Sequence, residues 1–459
     1  MPLSDDKATW SRRQLLQHAA AGAGLLSVLG APREALAQQA EQAAPERLAA
    51  QILAHEAIQK ARAAALDILK PKQRDLEHGL ALHSQSLVFD AYSFAPRAAL
   101  DGTALAQATE EGASDIELQD LIENMMMTRY VSDPVEREEF QLAWRAAGVT
   151  CIFQNAGEEC QDPLRLLKRL AHFTYVTDML GDFVARAVKP EAVAAAKRAG
   201  KHCLYLSGNG VPLTQHWVSV ADELRYVSIF FQLGIRMMHL TYQRRNMLGD
   251  GCGEAANAGL SDFGRQAIAE LNRVGVIVDV APSGWRTSLE AARCSTKPIV
   301  ASHAAAAGLY QHIRGKPDDV LKALADSGGY AGVCCIPEFL GGKGDVAAFL
   351  DHIDYIVRKV GVDHVAIGTD VAHASHYSEH AQRKLPPRRR QRRRWAWLWP
   401  GVVFGTTPAT GRDSLAWTNW PLFTVGLVQR GYRDEEVQKI IGGNVMRVAR
   451  AALAGVHHS

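Results

Sequence analysis

Eight apolar runs of strand length, separated by stretches of helical periodicity, limit this chain to very few folds. The runs are Leu87–Ala91, Val149–Phe153, His202–Leu206, Ile235–Leu240, Val276–Ala281, Pro298–Ser302, Tyr330–Ile336 and Val365–Gly368. Several are continuously apolar rather than alternating, the pattern of parallel strands covered on both faces. Helix boundaries between them are legible. Ser261-Asp262 opens one helix that Gly275 closes, and Pro317-Asp318-Asp319 opens another that ends at Gly328-Gly329. Eight β/α units over roughly 370 residues predict an α/β fold of the TIM-barrel-like (β/α)8 type with insertions. A doubly wound open sheet is the competing topology. The chain shows no internal repeat and no dinucleotide-type glycine loop.

Ahead of the barrel, Ser11-Arg12-Arg13-Gln14-Leu15-Leu16 precedes a weakly apolar run from Ala19 to Leu29, and Ala35-Leu36-Ala37 supplies a small-residue cleavage pattern. Residues 1–37 therefore read as a bacterial twin-arginine export signal, which places the mature protein in the periplasm. The run is too short to span a bilayer core of roughly 30 Å, and no later run reaches the length of a transmembrane segment. Residues 38–85 read as a helical N-terminal extension, with a helical period from Pro45 to Lys70 ended by Pro71, and 86–455 as the barrel. Cys151 and Cys203 sit inside strand-like runs, as do the vicinal Cys334-Cys335, so all four are expected as buried thiols rather than disulfide partners.

The formal net charge of +2 argues against a protein that coats nucleic acid. It is, however, a cancellation. Arg383–Arg394 holds eight basic residues and no acid, and Trp395-Ala396-Trp397-Leu398-Trp399-Pro400 follows. This segment belongs to an insertion at 377–415, after the eighth strand, where a barrel keeps one of its active-rim loops. Arg383–Trp399 reads either as a solvated or disordered insertion or as a lid or docking loop for a partner protein, offering guanidinium groups to carboxylates and indoles to an apolar or cationic surface.

From the fourth strand-like run onward the chain resembles a known family. The matching stretches are Gly234-Ile235-Arg236-Met237-Met238-His239-Leu240-Thr241, Gly259-Leu260-Ser261-Asp262-Phe263-Gly264 and Leu271-Asn272-Arg273-Val274-Gly275. Further on come Pro298-Ile299-Val300-Ala301-Ser302-His303, Gly361-Val362-Asp363-His364-Val365-Ala366-Ile367-Gly368-Thr369-Asp370 and Gly442-Gly443-Asn444-Val445-Met446-Arg447. These resemble the membrane (renal-type) dipeptidase family of zinc peptidases, with a weaker likeness over Ser86 to Ala451. The resemblance implies a TIM-barrel-like fold, two zinc ions at the strand ends and frequent dimers. Two such ions lower the pKa of a shared water, so that hydroxide can attack a peptide carbonyl near neutral pH.

The resemblance also implies which positions have changed. The two first-strand ligands fall at Tyr92 and Phe94, the bridging carboxylate at Ser207 in Ser207-Gly208-Asn209-Gly210, and a metal histidine at Pro282. A substrate-gripping histidine falls at Tyr242. Matching positions are His303 for a metal histidine, Asp370 for the catalytic aspartate and Arg314 for the substrate arginine. A single zinc on His303, Asp370 and His373, with His376 and His380 beyond, is one way to rebuild a site. Ser207 as a nucleophile with His303 as base is another, without a nucleophile-elbow sequence behind it.

The expected cleft is thus lined by Tyr92, Phe94, Tyr242, Ser207, Asn209, His303, Arg314 and Asp370. Such a set suits a small peptide or modified amino acid, with Arg314 on its carboxylate and Asp370 on its ammonium. The expectation is an exported protein with no zinc or one weakly bound zinc, whose dipeptide hydrolysis is altered or lost. The alternative is a non-catalytic binding or accessory protein that uses the same cleft.

Overall fold

The computed structural model describes residues 48–157, 162–378 and 408–456. The segment expected as an export signal (residues 1–37), His380 and the Arg383–Trp399 segment lie outside the described residues. Among the described residues, ten parallel strands form one sheet: β1 (Phe89–Ser93), β2 (Cys151–Asn155), β3 (Val184–Ala187), β4 (His202–Gly208), β5 (Ile235–His239), β6 (Ile277–Asp279), β7 (Val300–Ala306), β8 (Gly315–Lys316), β9 (Tyr330–Val333) and β10 (Val365–Ile367). Their order is β1-β2-β4-β5-β6-β7-β9-β10, with β3 paired to β4 and β8 to β7. Each of the eight expected runs supplies one strand of that path. Past β10, the Asp370 N–H donates to the Tyr92 carbonyl at 3.0 Å, so the ring nearly closes and the fold is a TIM-barrel-like one rather than an open sheet. The two strands missing from the sequence reading are four and two residues long, too short to leave a periodic signal.

Successive side chains on a strand point to opposite faces, and here the faces are lumen and helix layer. Phe153, Tyr205, Met237, Ile277, Val300 and Tyr330 fill the lumen in one buried cluster. Val445, Met446 and Val448 join them from the C-terminal helix Asn444–Leu453. That helix is anchored below the strand starts, because the Asn444 amide donates to the carbonyls of Val362 and Val365, both at 2.8 Å. The alternate positions Ile152, Leu204, Met238, Val278, Ala301 and Ile367 face outward into the main core against the helices.

The N-terminal extension is helical but broken. His55 is extended (φ −84°, ψ 104°) and caps the helix Glu56–Leu69, whose end is turned by Lys70 at φ 45°. A second helix, Gln73–Gln85, leads into β1. The periodicity from Pro45 to Lys70 is therefore not one helix: His55 serves as a cap, so that its ring accepts a hydrogen bond from the Ile58 N–H at 3.4 Å. Cys151, Cys203, Cys334 and Cys335 are buried free thiols, as their strand context implied.

Candidate functional site

Continuing the lumen alternation by one step leads from the apolar layer to a polar one. Two residues beyond Phe153, Tyr205, Met237, Ile277 and Val300 stand Asn155, Ser207, His239, Asp279 and Ser302, all buried at the C-terminal side of the barrel. Catalytic groups of this architecture occupy that rim. Asp279 is the hub. Its Oδ1 accepts from the N–H groups of Ala281 (2.9 Å) and Ser302 (3.0 Å), and its Oδ2 accepts from the Ser302 hydroxyl. The His239 Nε2 lies 2.8 Å from the same Oδ2, off the line of a straight hydrogen bond. Burial alone would raise the Asp279 carboxyl, but the His239 charge and these bonds hold it below its ordinary value.

Asn209 Oδ1 closes on Nδ1 of His239, and the Ser302 hydroxyl lies 2.8 Å from Nδ1 of His303. The pairing of β7 with β9 shifts register between Ala301 and Ala304, which lets both Ser302 and His303 reach this network. The Tyr92 ring stacks on His303 with centroids 3.9 Å apart. Burial, and then the nearby Asp370, push the Tyr92 phenol well above its ordinary range, so it is a neutral wall rather than an anionic ligand. Burial and the Arg314 charge push His303 well below the usual histidine range, keeping it neutral.

The rim also holds charge. Arg314 is 2% exposed, stacks 4.9 Å from the Phe339 ring centre and 5.6 Å from that of half-buried Tyr242, and its Nε and Nη2 have no hydrogen-bond partner among the described residues. Asp370 follows β10 in the left-handed region (φ 57°), a conformation that costs a non-glycine residue on the order of 1 kcal/mol and concentrates at functional sites. Desolvation pushes its carboxyl up to about 6, against the pull of Arg314, His239 and Arg97. Lys316 is wholly buried on β8 and donates to the carbonyls of Val280 (2.7 Å) and Ser283 (2.8 Å); burial pushes it down to about 7.

Sequence reasoning singled out several of these residues and missed others. Tyr92, Asn209, His303, Arg314, Tyr242 and Asp370 are interconnected as described, through stacking, hydrogen bonds or charge. Ser207 is also in the polar layer, but its hydroxyl donates to the Gln154 carbonyl at 3.2 Å. His373 is placed elsewhere. Its Nε2 is 2.9 Å from Oε1 of Glu139, and His376 approaches the same carboxylate, so the grouping of His373 with His303 and Asp370 is replaced by two separate groups. Donor atoms lying within 4.8 Å of one another come from His239, Asp279 and His303 in one and from His55, Glu139 and His373 in the other. His239, Asp279 and Lys316 were missed as site residues. The signal for the first two was present: each stands two positions after an apolar lumen residue and ends its strand.

These residues do not fit a two-ion centre. Tyr92 stays a neutral phenol, the Ser207 hydroxyl is committed to a backbone carbonyl, and Phe94 and Pro282 have no side-chain donor atom. Among the described residues, two groups could each hold one metal ion, and the barrel-rim group has the three ligands usual for a single ion.

Barrel and rim together define a (β/α)8-barrel protein with a buried polar layer at the C-terminal side of its strands. Residues 76–381 match the family model described as membrane dipeptidase, peptidase family M19, and the chain belongs to that family. A relative named dipeptidase tcpJ, from Claviceps purpurea, is 25% identical over 353 residues, which cover 75% of this chain and 71% of that protein. An amidohydrolase structure from Pseudomonas aeruginosa is similar with a TM-score of 0.59 at 25% identity, covering 82% of this chain and 98% of that one. The fold is shared too by the probable dipeptidase PvdM from Pseudomonas aeruginosa, at a TM-score of 0.56 and 20% identity, over 83% of this chain and 98% of that one.

Proposed function

We propose that this protein is an exported family member whose barrel mouth binds a small peptide or modified amino acid, and in which two-zinc dipeptide hydrolysis is lost or altered. The observation that carries this reading is Arg314. A buried guanidinium with two unpartnered nitrogens leaves donors whose desolvation costs about 1–3 kcal/mol each, and a ligand carboxylate would satisfy them in bidentate fashion. Asp370, close enough to feel the Arg314 charge, is the group for a ligand ammonium. Tyr92 and Tyr242 supply aromatic walls where the family resemblance implies a metal ligand and a substrate-gripping histidine. Without a second metal shell, no group at the rim is arranged to make hydroxide from water as two shared ions do.

A second reading, hydrolysis of a peptidic amide on one ion, is favoured by the convergence of His239, Asp279 and His303. Here the ion would polarise the amide carbonyl, while Arg314 would hold the substrate carboxylate and Asp370 a proton or an ammonium. Calorimetric titration of the mature chain with a panel of dipeptides, alongside a hydrolysis assay with added zinc, separates the two. Saturable binding without turnover, weakened by Arg314→Ala, is the expected result. Turnover that needs zinc and disappears in His303→Ala would establish the second reading instead.

A further inference from the structure

Outside the barrel mouth, three imidazoles from two distant parts of the chain converge on one buried carboxylate. Glu139, on the helix Pro134–Ala147, is 5% exposed. Its Oε1 lies 3.3 Å from Nε2 of His55 and 2.9 Å from Nε2 of His373, and its Oε2 lies 2.5 Å from Nδ1 of His376. The His376 N–H (2.8 Å) and the Ser375 hydroxyl (3.2 Å) donate to the same carboxylate. That makes five donors for about four lone-pair sites, so the carboxylate is oversubscribed if every imidazole acts as an N–H donor. The nitrogens are better used as lone pairs aimed at a shared cation.

We infer that His55, Glu139, His373 and His376 form a binding site for one zinc-class divalent ion, separate from the barrel mouth, that staples the N-terminal extension to the loop after β10. Imidazole nitrogens with one carboxylate select zinc and its late first-row neighbours over calcium or magnesium, which prefer all-oxygen shells. His55, Glu139 and His373 already bring donor atoms within 4.8 Å of one another, and small ring shifts would open the space that metal–nitrogen bonds of about 2.0 Å require. Binding through Nε2 would put the His55 proton on Nδ1 and so replace the long cap bond, at 3.4 Å, from the Ile58 N–H. The site is reachable, because the His376 side chain is 45% exposed while His55 and His373 are close to buried. His376, whose Nδ1 reaches the same carboxylate, would complete His55, Glu139 and His373 to the four protein ligands usual for a structural ion rather than a catalytic one.

The test uses the tag-free mature protein, stripped with chelator and titrated with Zn2+ alone, with bound zinc counted by mass spectrometry. The wild type and His303→Ala are expected to share a zinc equivalent whose affinity falls at least about tenfold in Glu139→Gln and in His373→Ala. His376→Ala removes a half-exposed ring without opening the core, so it keeps the comparison valid if a buried variant fails to fold. Cobalt in place of zinc should give visible bands that change in His376→Ala and stay unchanged in His303→Ala. Zinc that binds equally well to wild type, Glu139→Gln and His376→Ala, or that is lost only with His303, would overturn the inference, as would no binding at all.

Discussion

Arg314 brings its charge to Tyr242, Asp370 and His303, and Tyr92 and Phe339 close the space around it. Arg314→Lys keeps the charge but loses the planar fork, so it should recover only part of the dipeptide affinity lost in Arg314→Ala; full recovery would count against bidentate binding. Asp370 predicts a pH dependence. Its carboxyl, pushed up to about 6, is largely neutral at pH 5 and ionised at pH 7. Affinity for a zwitterionic dipeptide should therefore rise by about tenfold over that interval, one pKa unit being worth a factor of ten. A flat profile, or an unchanged rise in Asp370→Asn, would contradict the assignment of Asp370 to the ammonium. At this scale the sequence was readable where a residue could be matched to a motif, as with His303, Arg314 and Asp370. It was not readable where a site depends on convergence: Glu139 lies 84 residues from His55 and 234 from His373, and helical periodicity alone makes it one more surface acid.

The strands were legible because parallel strands covered on both faces must be apolar, and all eight barrel strands fall on the expected runs. Individual strand positions carry more information than the runs do. On β1, Asp90 points outward while Phe89 and Ala91 belong to the lumen cluster. Asp90 accepts from the Thr369 hydroxyl (2.6 Å) and N–H (2.9 Å), and from the indole N–H groups of Trp417 (3.2 Å) and Trp420 (3.1 Å). One carboxylate thus ties β1 to the end of β10 and to the helices that follow the insertion. Asp90→Ala leaves these donors buried without their acceptor and should cost about 1–3 kcal/mol in urea unfolding. Burial pushes Asp90 up to about 6 from an ordinary value of 3.8. The folded state therefore holds this proton more tightly than the unfolded state, and the stability it contributes falls as pH climbs from about 4 through about 6. The stability difference between wild type and Asp90→Asn should accordingly shift against the wild type between pH 4.5 and 7; the opposite shift would refute the assignment. Glycine matters at two nearby positions. A Cβ on Gly332 or on Gly368 would lie 2.0 Å from the Ser302 carbonyl oxygen, so alanine at either site must displace the strand that carries the His303 network.

Across the whole molecule, the N-terminal extension and the segment after the insertion form one layer on the barrel. Lys60 pairs with Asp413 at 3.0 Å, and the Asn419 amide donates to the Ala61 carbonyl at 2.9 Å. A cavity of about 460 Å3 lies between them, lined by Ala57, Ala61, His373, Ala374, Arg412 and Trp417 among others. Both described flanks of the basic, Trp-bearing insertion therefore border one cavity. Deleting Arg383–Trp399 should leave the melting temperature within about 2 °C while changing ligand or partner affinity; loss of folded protein would show that the segment is structural. The near-neutral composition hid this organisation, since the eight charges of Arg383–Arg394 offset an acidic remainder.

On the proposed reading, the barrel mouth grips a ligand carboxylate through Arg314 and lacks a two-ion hydrolytic centre. Hydrolysis and binding of one dipeptide, measured on the same zinc-supplemented sample of mature protein and of Arg314→Ala, tests it most directly. The expected result is saturable binding by the wild type, binding weakened at least about tenfold by the substitution, and no product in either sample. Steady product release that grows with zinc up to two equivalents, and is abolished by His303→Ala, would contradict it.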